Sequence, residues 1–456
     1  MALRKIIRPR GAEITTALLR SCINEHQQRL ARYTRLEGYY LGEHDILRRK
    51  TLEHAPNNKL VHPFPRYITN TATGYMFGNP IQYQPKNERA DASGLTNALE
   101  AMGAASHDAE LGKDLSIFGV AYELLYIPDY TNAATVHAAL LDPKQAFIVY
   151  DDDIMQNPMF GVYLVEKRDA VGNTAGSIVN VFTPHAHRVY AIGQIGDEPI
   201  LLSEETNPFG VLPMVQYINN EDGRGDFEDV LTLIDAYDVL GSDRVNDKER
   251  FVNAILVIKN ATLGDDPEAI ELMLRGGILE LPGEGTHAAD AAYLSKTLNE
   301  TETEVLKKAL AMDIHKFSHT PDFTDEQFSG NVSGVAMRFK VLSLEYLAKV
   351  KERFFTAGLR NRLRILYAVA SLKNQIGIAP DEVNIIFNRT LPNNELEMAQ
   401  TVATLVGIVS NETLLTQVPF VKDAADEVVK AQAERAGQVQ NQLNSLNARM
   451  QTEMGR

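Results

Sequence analysis

The stretch Asn219-Asn220-Glu221-Asp222-Gly223-Arg224-Gly225-Asp226-Phe227-Glu228-Asp229-Val230-Leu231-Thr232-Leu233-Ile234-Asp235-Ala236-Tyr237 divides the chain into two kinds of pattern. Its first seven residues are strand and helix breakers. Asp226 is placed to cap a helix, and Glu228 and Asp229 suit the positive end of its dipole. Phe227, Val230, Leu231, Ile234 and Tyr237 then recur at helical spacing. This pattern predicts a helix over 226–254. Its second half, Asp243 to Arg250, carries mixed charges and few apolar residues, so it reads as partly exposed or packed against a neighbour.

Toward the C-terminus a small α/β insert follows at 255–297. Ile255 to Ile258 is a strand, Pro267 to Leu274 a short helix, Gly276 to Pro282 a strand, and Ala291 to Leu294 another. The chain returns as a helix over 298–318, with Leu306, Leu310, Ile314 and Phe317 on one face. Thr320-Pro321-Asp322 through Ser329-Gly330-Asn331 is a breaker-rich loop. The longest helical pattern runs from Val335 to about Leu372, on Leu342, Tyr346, Val350, Phe354, Leu359, Leu363 and Leu366. From Asn394 the chain reads as helical again. Ala436, Val439, Leu443, Leu446 and Met450 form a coiled-coil-like seam there.

Toward the N-terminus the periods change. Residues 11–37 read as a helix carrying Ile14, Leu18, Cys22, Ile23, Tyr33 and Leu36, interrupted at Gly38 to Gly42. A helix over Arg66 to Phe77 stops at Gly78-Asn79-Pro80. Between Phe118 and Pro213 the alternation is that of strands, at 119–127, 146–150, 160–166, 177–182 and 187–192, and it reads as a small antiparallel sheet. The expected class is α+β, mostly helical.

The formal net charge of −15 over 456 residues argues against a conventional duplex-DNA binder, which needs a basic surface to neutralise phosphates. It does not argue against a wall past which DNA slides. The strongest local exception lies between 338 and 364, where eight cations, Arg338 and Lys340 among them, face only Glu345 and Glu352. Two readings stand for it: a solvated face paired with acidic groups of other subunits, or transient contact of its N-terminal part with DNA phosphates. No run is apolar enough to span a membrane, and the basic N-terminus lacks a secretory core, which points to synthesis inside a cell. Cys22, the one cysteine, reads as a buried structural thiol.

Catalytic patterns are weak. Gly172 to Ser177 lacks the lysine and spacing of a phosphate-binding loop and reads as a hairpin turn. There is no Gly-x-Ser-x-Gly elbow. His185 and His187 form a possible metal pair but read better as solvent-facing, and Asp151-Asp152-Asp153 reads as a charged turn. No enzyme activity, metal or cofactor is expected.

Several segments resemble tailed-phage portal proteins of the SPP1-like siphophage type. They are Gly38 to Ile46, Asn57 to Val61, Asn70 to Ile81, Leu233 to Asp238 with Ser242 to Asp247, and Phe328 to Met337. The resemblance covers about 33–420. It implies a portal fold assembling as a dodecameric ring, with a wing at 1–225, stem helices at 226–254 and 298–318, and a clip at 255–297. It further implies a tunnel loop at 319–334, a long helix returning through the wing at 335–390, and a crown at 391–456. By the same implication Thr320, Pro321, Asp322, Asp325, Glu326, Gln327, Ser329 and Asn331 face the channel. Asp265, Asp266, Glu268, Arg275 and Glu280 meet the terminase. The implied function is the passage of double-stranded DNA into and out of the capsid at one vertex of the virion. The implied partners are the terminase large subunit, head-completion and adaptor proteins, and the major capsid and scaffolding proteins, with assembly in the host cytoplasm. The loop departs from a phosphate-gripping pattern, since Asp322, Asp325 and Glu326 stand there without a Lys or Arg. Pro321, Gly330 and Gly334 read equally as hinges of that loop or as ordinary helix termination. The rival readings are a minor head or adaptor protein without a channel, and a packaging nuclease or ATPase.

Overall fold

In the computed structural model, the described residues are 5–51, 56–87, 89–128, 135–193, 197–252, 255–259, 290–294, 300–323, 339–370, 376–389, 400, 402–415, 418, 421 and 427–434. They fall in two units. One comprises 1–322 with 343–390, and the other 323–342 with 391–456.

In chain order the first unit runs β1 (Ile6–Arg8), α1 (Thr16–Gln27), α2 (Leu30–Leu41), α3 (Phe64–Phe77), β2 (Gln82–Pro85), α4 (Ser93–Ala101) and α5 (Ala104–Phe118). There follow β3 (Val120–Tyr126), β4 (His137–Leu141), β5 (Ala146–Asp151), β6 (Pro158–Arg168), β7 (Thr174–Phe182), β8 (Ala186–Ile192), β9 (Ile200–Thr206) and β10 (Met214–Ile218). Next come α6 (Leu231–Val252), β11 (Ile255–Lys259), β12 (Asp290–Leu294), α7 (Glu300–Phe317), α8 (Leu342–Ala370) and β13 (Val383–Ile386). The class is α+β. In the second unit a short helix, α9 (Asn411–Leu415), buries Leu414. The seam at 436–450 lies outside the described residues.

The largest sheet has the order β1-β5-β6-β7-β8-β9. All its pairings are antiparallel except β1 with β5, which is parallel. The expected single antiparallel sheet differs in two ways: β3, expected in it, pairs instead with β4 and β10 in a separate sheet, and Ile6–Arg8, too short to show alternation, adds a parallel edge. Every residue of β5 is buried, which is why Ala146 to Tyr150 reads as a continuous apolar run. Helix α1 lays Leu19, Cys22 and Ile23 against Phe147, Val149, Phe160, Val162, Val179 and Val181. Burial pushes the Cys22 thiol up to about 11.

A second core gathers Tyr33, Leu36 and Tyr39 of α2, Ile68 of α3, and Ile117 and Phe118 of α5. The start of the α6 segment joins them through Phe227, Val230, Leu231 and Ile234. A third joins α8, through Phe355, Leu359, Leu363 and Leu366, to α4, α5 and Tyr217 of β10. Gly358 permits this approach, since a Cβ there would stand 2.3 Å from the Tyr217 ring.

The single helix expected over 11–37 is two helices. Thr15 caps α1 through the Leu18 N–H, and the break falls at Gln28 and Arg29. Gly38 stays helical, and the stop is Gly42 at φ 92°, a left-handed conformation that favours glycine. Helices α4 and α5 and strands β4, β9 and β10 were not legible in the pattern. Among the described residues no helix is long and apolar enough to cross a membrane.

Candidate functional site

Helices α6 and α7 form an antiparallel-connected pair, with the β11–β12 hairpin between them in sequence. Ile234 of α6 and Ile314 of α7 are fully buried in one core, and Arg244 pairs with Glu304 at 2.7 Å. Of the rest of the expected α7 stripe, Leu310 is half-buried, while Leu306 and Phe317 are exposed. Leu306 is 52% and Phe317 53% exposed, and Val305 and Met312 more so. Only the C-terminal half of α7 therefore meets the core. The insert residues Asp265, Asp266, Glu268, Arg275 and Glu280 lie outside the described residues.

The polar half of α6 is explained by an extended strap at 58–62. The Asn58 N–H donates to Asn246 Oδ1 at 2.7 Å, the Leu60 N–H to Ser242 Oγ at 2.9 Å, and the His62 N–H to Asp238 Oδ1 at 2.8 Å. Four residues of helix rise about 6 Å and two residues of extended chain about 6.6 Å, so acceptors at every fourth helical position meet donors at every second strap position. Asp238, Ser242 and Asn246 are buried in consequence. The Asp238 carboxylate also receives His44 Nδ1 at 2.5 Å and His62 Nδ1 at 2.8 Å. Burial alone would raise its pKa, but these hydrogen bonds outweigh burial and hold it below its ordinary value. Asp226 is not the expected cap. Its carboxylate accepts from Asn219 Nδ2 and pairs with Lys351 of α8. Glu228 likewise takes Arg32 and the Gly225 N–H.

At the C-terminal end of α7 the chain leaves the helix through His319, at φ 56°. His315 Nδ1 donates to the Thr320 carbonyl at 3.0 Å and lies edge-on to Phe64 and Tyr67 of α3. The Tyr67 hydroxyl donates to the Pro321 carbonyl at 2.8 Å. Thr320, expected to face a channel, is 1% exposed, and its hydroxyl donates to Ser318 O. The backbone at 318–321 is thus fastened to α3 and α7, and the Thr320 side chain points into the chain. Pro321 and Asp322 are half-buried, with Asp322 Oδ2 3.8 Å from His315 Nε2. Asp325, Glu326, Gln327, Ser329, Gly330, Asn331, Gly334 and Arg338 lie outside the described residues, and Lys340 is half-buried with an interaction of its own.

The basic helix resolves into ion pairs inside the chain. Lys351 is 6% exposed on Asp226, and Lys349 pairs with Glu345 at 3.7 Å. Arg362 is fully buried, 2.6 Å from Asp108 Oδ1 and 2.8 Å from Glu123 Oε1. Tyr217 donates to Glu123 at 2.7 Å. Arg360 donates to the Pro380 carbonyl, and Arg353 and Arg364 remain exposed. Partners from other subunits, expected for this face, are not needed for the buried cations. Burial raises the Asp108 carboxyl. Burial acts on Glu123 in the same direction, but Arg362 and His107 overcome it and hold Glu123 down at about 2. His187, expected to face solvent, stacks on Phe182 at 4.5 Å and bonds Asn180 Oδ1. Only His185 is exposed, and among the described residues no group of three or more potential ligands could hold a metal.

The family model described as phage portal protein, SPP1 Gp6-like, matches residues 19–441. The chain belongs to this portal family. The portal protein of Bacillus phage SPP1 is 23% identical over 471 aligned residues, 96% of this chain and 90% of that protein. The portal protein of Clostridium phage phiCD119 is 21% identical over 434 residues, 90% of this chain and 93% of that one. A solved chain from the neck of an empty GTA particle aligns with 78% of this chain and 89% of its own, at 13% identity and a TM-score of 0.45.

The segments that carry the resemblance are also those that make the strap. Asn58, Leu60, Asp238, Ser242 and Asn246 belong to two of the quoted motifs and touch one another here. The partners of Arg362 were not legible in this portal-family sequence, because Asp108 and Glu123 stand more than 230 residues away, on α5 and β3.

Proposed function

We propose that copies of this chain assemble as a ring, dodecameric by family resemblance, around a channel for double-stranded DNA at one vertex of a tailed-phage capsid. DNA enters through this ring during packaging and leaves through it during ejection. In this reading 1–225 is the wing, 226–254 and 298–318 the stem pair, and 255–297 the clip that receives the terminase large subunit and later the head-completion proteins. The segment 319–334 is the tunnel loop, 335–390 the helix returning through the wing, and 391–456 the crown inside the capsid. Major capsid and scaffolding proteins contact the ring, which assembles in the host cytoplasm and resides in the virion. The chain itself does no catalysis, and ATP hydrolysis comes from the terminase.

The observation that carries the reading is the helix–hairpin–helix of α6, β11, β12 and α7, whose second helix leaves Val305, Leu306, Met312 and Phe317 exposed among the described residues. Apolar residues in such a row are covered in the working assembly. The net charge of −15, together with cations of α8 held in internal ion pairs, supports a wall that repels phosphates and lets DNA slide. Thr320 serves in this reading as an anchor of the loop, and the loop's channel-facing part begins beyond it.

Electron microscopy of the assembled protein, alone and with scaffolding protein, tests the proposal. Rings with an open centre wide enough for a duplex are expected. Closed or linear particles under both conditions would overturn it.

A further inference from the structure

The six-stranded sheet has two open edges, β1 and β9, and they are unlike each other. Strand β9 exposes Ile200 at 67%, Leu201 at 48% and Leu202 at 58%. All seven residues of β9 are exposed, the register with β8 shifts at Leu202, and among the described residues no strand pairs with its outer edge. An edge of this kind is a template for pairing with another chain, and proteins that stay apart blunt it with charge, proline or a bulge. The acidic residues of β9 lie at its far end, as Glu204 and Glu205, and Asp197 and Glu198 precede it. Residues 197–206 hold four carboxylates and no cation.

The opposite edge has the inverse composition. Residues 5–10 read Lys5-Ile6-Ile7-Arg8-Pro9-Arg10, three cations and no carboxylate. Ile7 is partly exposed, and its carbonyl accepts the guanidinium of neighbouring Arg8. Arg8 is paired with Glu25, Lys5 lies over the Tyr150 ring, and Arg10, 73% exposed, pairs with Asp153 at 3.2 Å, so Lys5 and Arg10 would share these partners with a second copy. On the other edge Glu204 pairs with Arg188 but remains half-exposed.

We propose that these two edges are the two halves of one contact between copies of this chain, the 5–10 edge of one copy lying along β9 of the next. The inference rests on the ring reading above. A ring built by repeating one contact needs two different patches on each subunit, facing different ways. The strand order supplies that separation, since five strand spacings of about 4.8 Å put the edges roughly 24 Å apart. Charge selects the pairing. Two β9 strands placed together would gather Glu204 and Glu205 of both copies on one seam and bring no new cation to it, whereas opposite charges across strands are favourable. The 5–10 edge offers cations instead. Ile7 beside Ile200, Leu201 and Leu202 removes apolar surface from water on both partners.

Cysteine pairing and charge exchange test the contact in the full-length protein. Cys22 is buried and does not interfere. Ile7→Cys combined in the same chain with Leu201→Cys or Leu202→Cys is expected to give, on mild oxidation, a ladder of disulfide-linked multimers. The single-cysteine variants are expected to give none. Glu204→Lys with Glu205→Lys is expected to lower the assembled fraction by about fivefold to tenfold, in line with two interfacial ion pairs. Adding Lys5→Glu and Arg10→Glu to that variant restores it. Rings that form normally in every variant, with no ladder, would overturn the contact and leave the ring standing. Dimers from Leu202→Cys alone would overturn it in favour of a symmetric β9 pair. Absence of rings in the unmodified protein would remove the ring reading and this contact with it.

Discussion

Replacing Arg362 by Met should destabilise the first unit by about 3–5 kcal/mol, the usual consequence of removing one partner from a buried ion cluster. The side chain is fully buried and serves Asp108 at 2.6 Å and Glu123 at 2.8 Å, so its loss leaves two carboxylates in the core with no guanidinium. The electrostatics of Glu123 point the same way. Glu123 is held at about 2 against an ordinary 4.5, a difference that corresponds to roughly 3 kcal/mol of preference for its charged form. For a unit of this size the loss should appear as a fall in Tm of roughly 4–6 °C. Urea unfolding followed by circular dichroism measures it directly. Adding Asp108→Asn and Glu123→Gln to Arg362→Met should recover more than half of the loss, because neutral amides cost less to bury than unpaired carboxylates. A single-variant loss under about 1 kcal/mol, or a triple variant no better than the single, would refute the argument that the cluster's charges are compensated only by one another.

His26 is stacked on Phe147 with its pKa lowered to about 4, chiefly by burial. Unfolding frees it to bind a proton below its ordinary 6.5, so stability should decline as pH falls from 6.5 toward 4 and level off below that. His26→Phe should flatten that slope in a pH series of urea midpoints, and an unchanged slope would assign it to other groups. Ser242→Ala should strip the Leu60 N–H of its acceptor, costing about 1–3 kcal/mol. Hydrogen exchange at Leu60 should accelerate more than at Tyr33, which the strap does not touch. Cys22, with its thiol near 11, should resist thiol reagents in the native chain and react only on unfolding. Tyr67→Phe should leave the Pro321 carbonyl without its donor and increase protease cleavage near 318–322, with little change in global stability.

The parts of the fold that were legible in the sequence are those whose burial is one-sided and local. Phe64–Phe77 and Leu231–Val252 carry stripes and stops, and β5 to β8 carry alternation or a continuous apolar run. The helix expected from 226 begins at Leu231 after a 3-10 turn at Glu228–Val230, and Asp226 was given the wrong partner, since a cap and a long-range pair with Lys351 look alike in sequence. The break at Gln28 and Arg29 left no trace, because neither residue is a breaker, while Gly38 suggested a break that packing does not make. Strand β9 was missed because both its faces are exposed, which leaves no period of two to read. The charge excess of α8 was plain, yet its meaning depended on Asp108, Glu123 and Asp226, whose nearness only the folded chain supplies.

The strap across α6 works as a vernier. Donors on one scale and acceptors on another coincide at three marks, Asn58, Leu60 and His62 against Asn246, Ser242 and Asp238. Adding or deleting one residue between 58 and 62 would turn a donor outward at every mark beyond the change, whereas an exchange of side chains on the strap would leave the marks aligned. Length in this short segment is therefore held more tightly than composition, and it fixes the setting of the strap along α6.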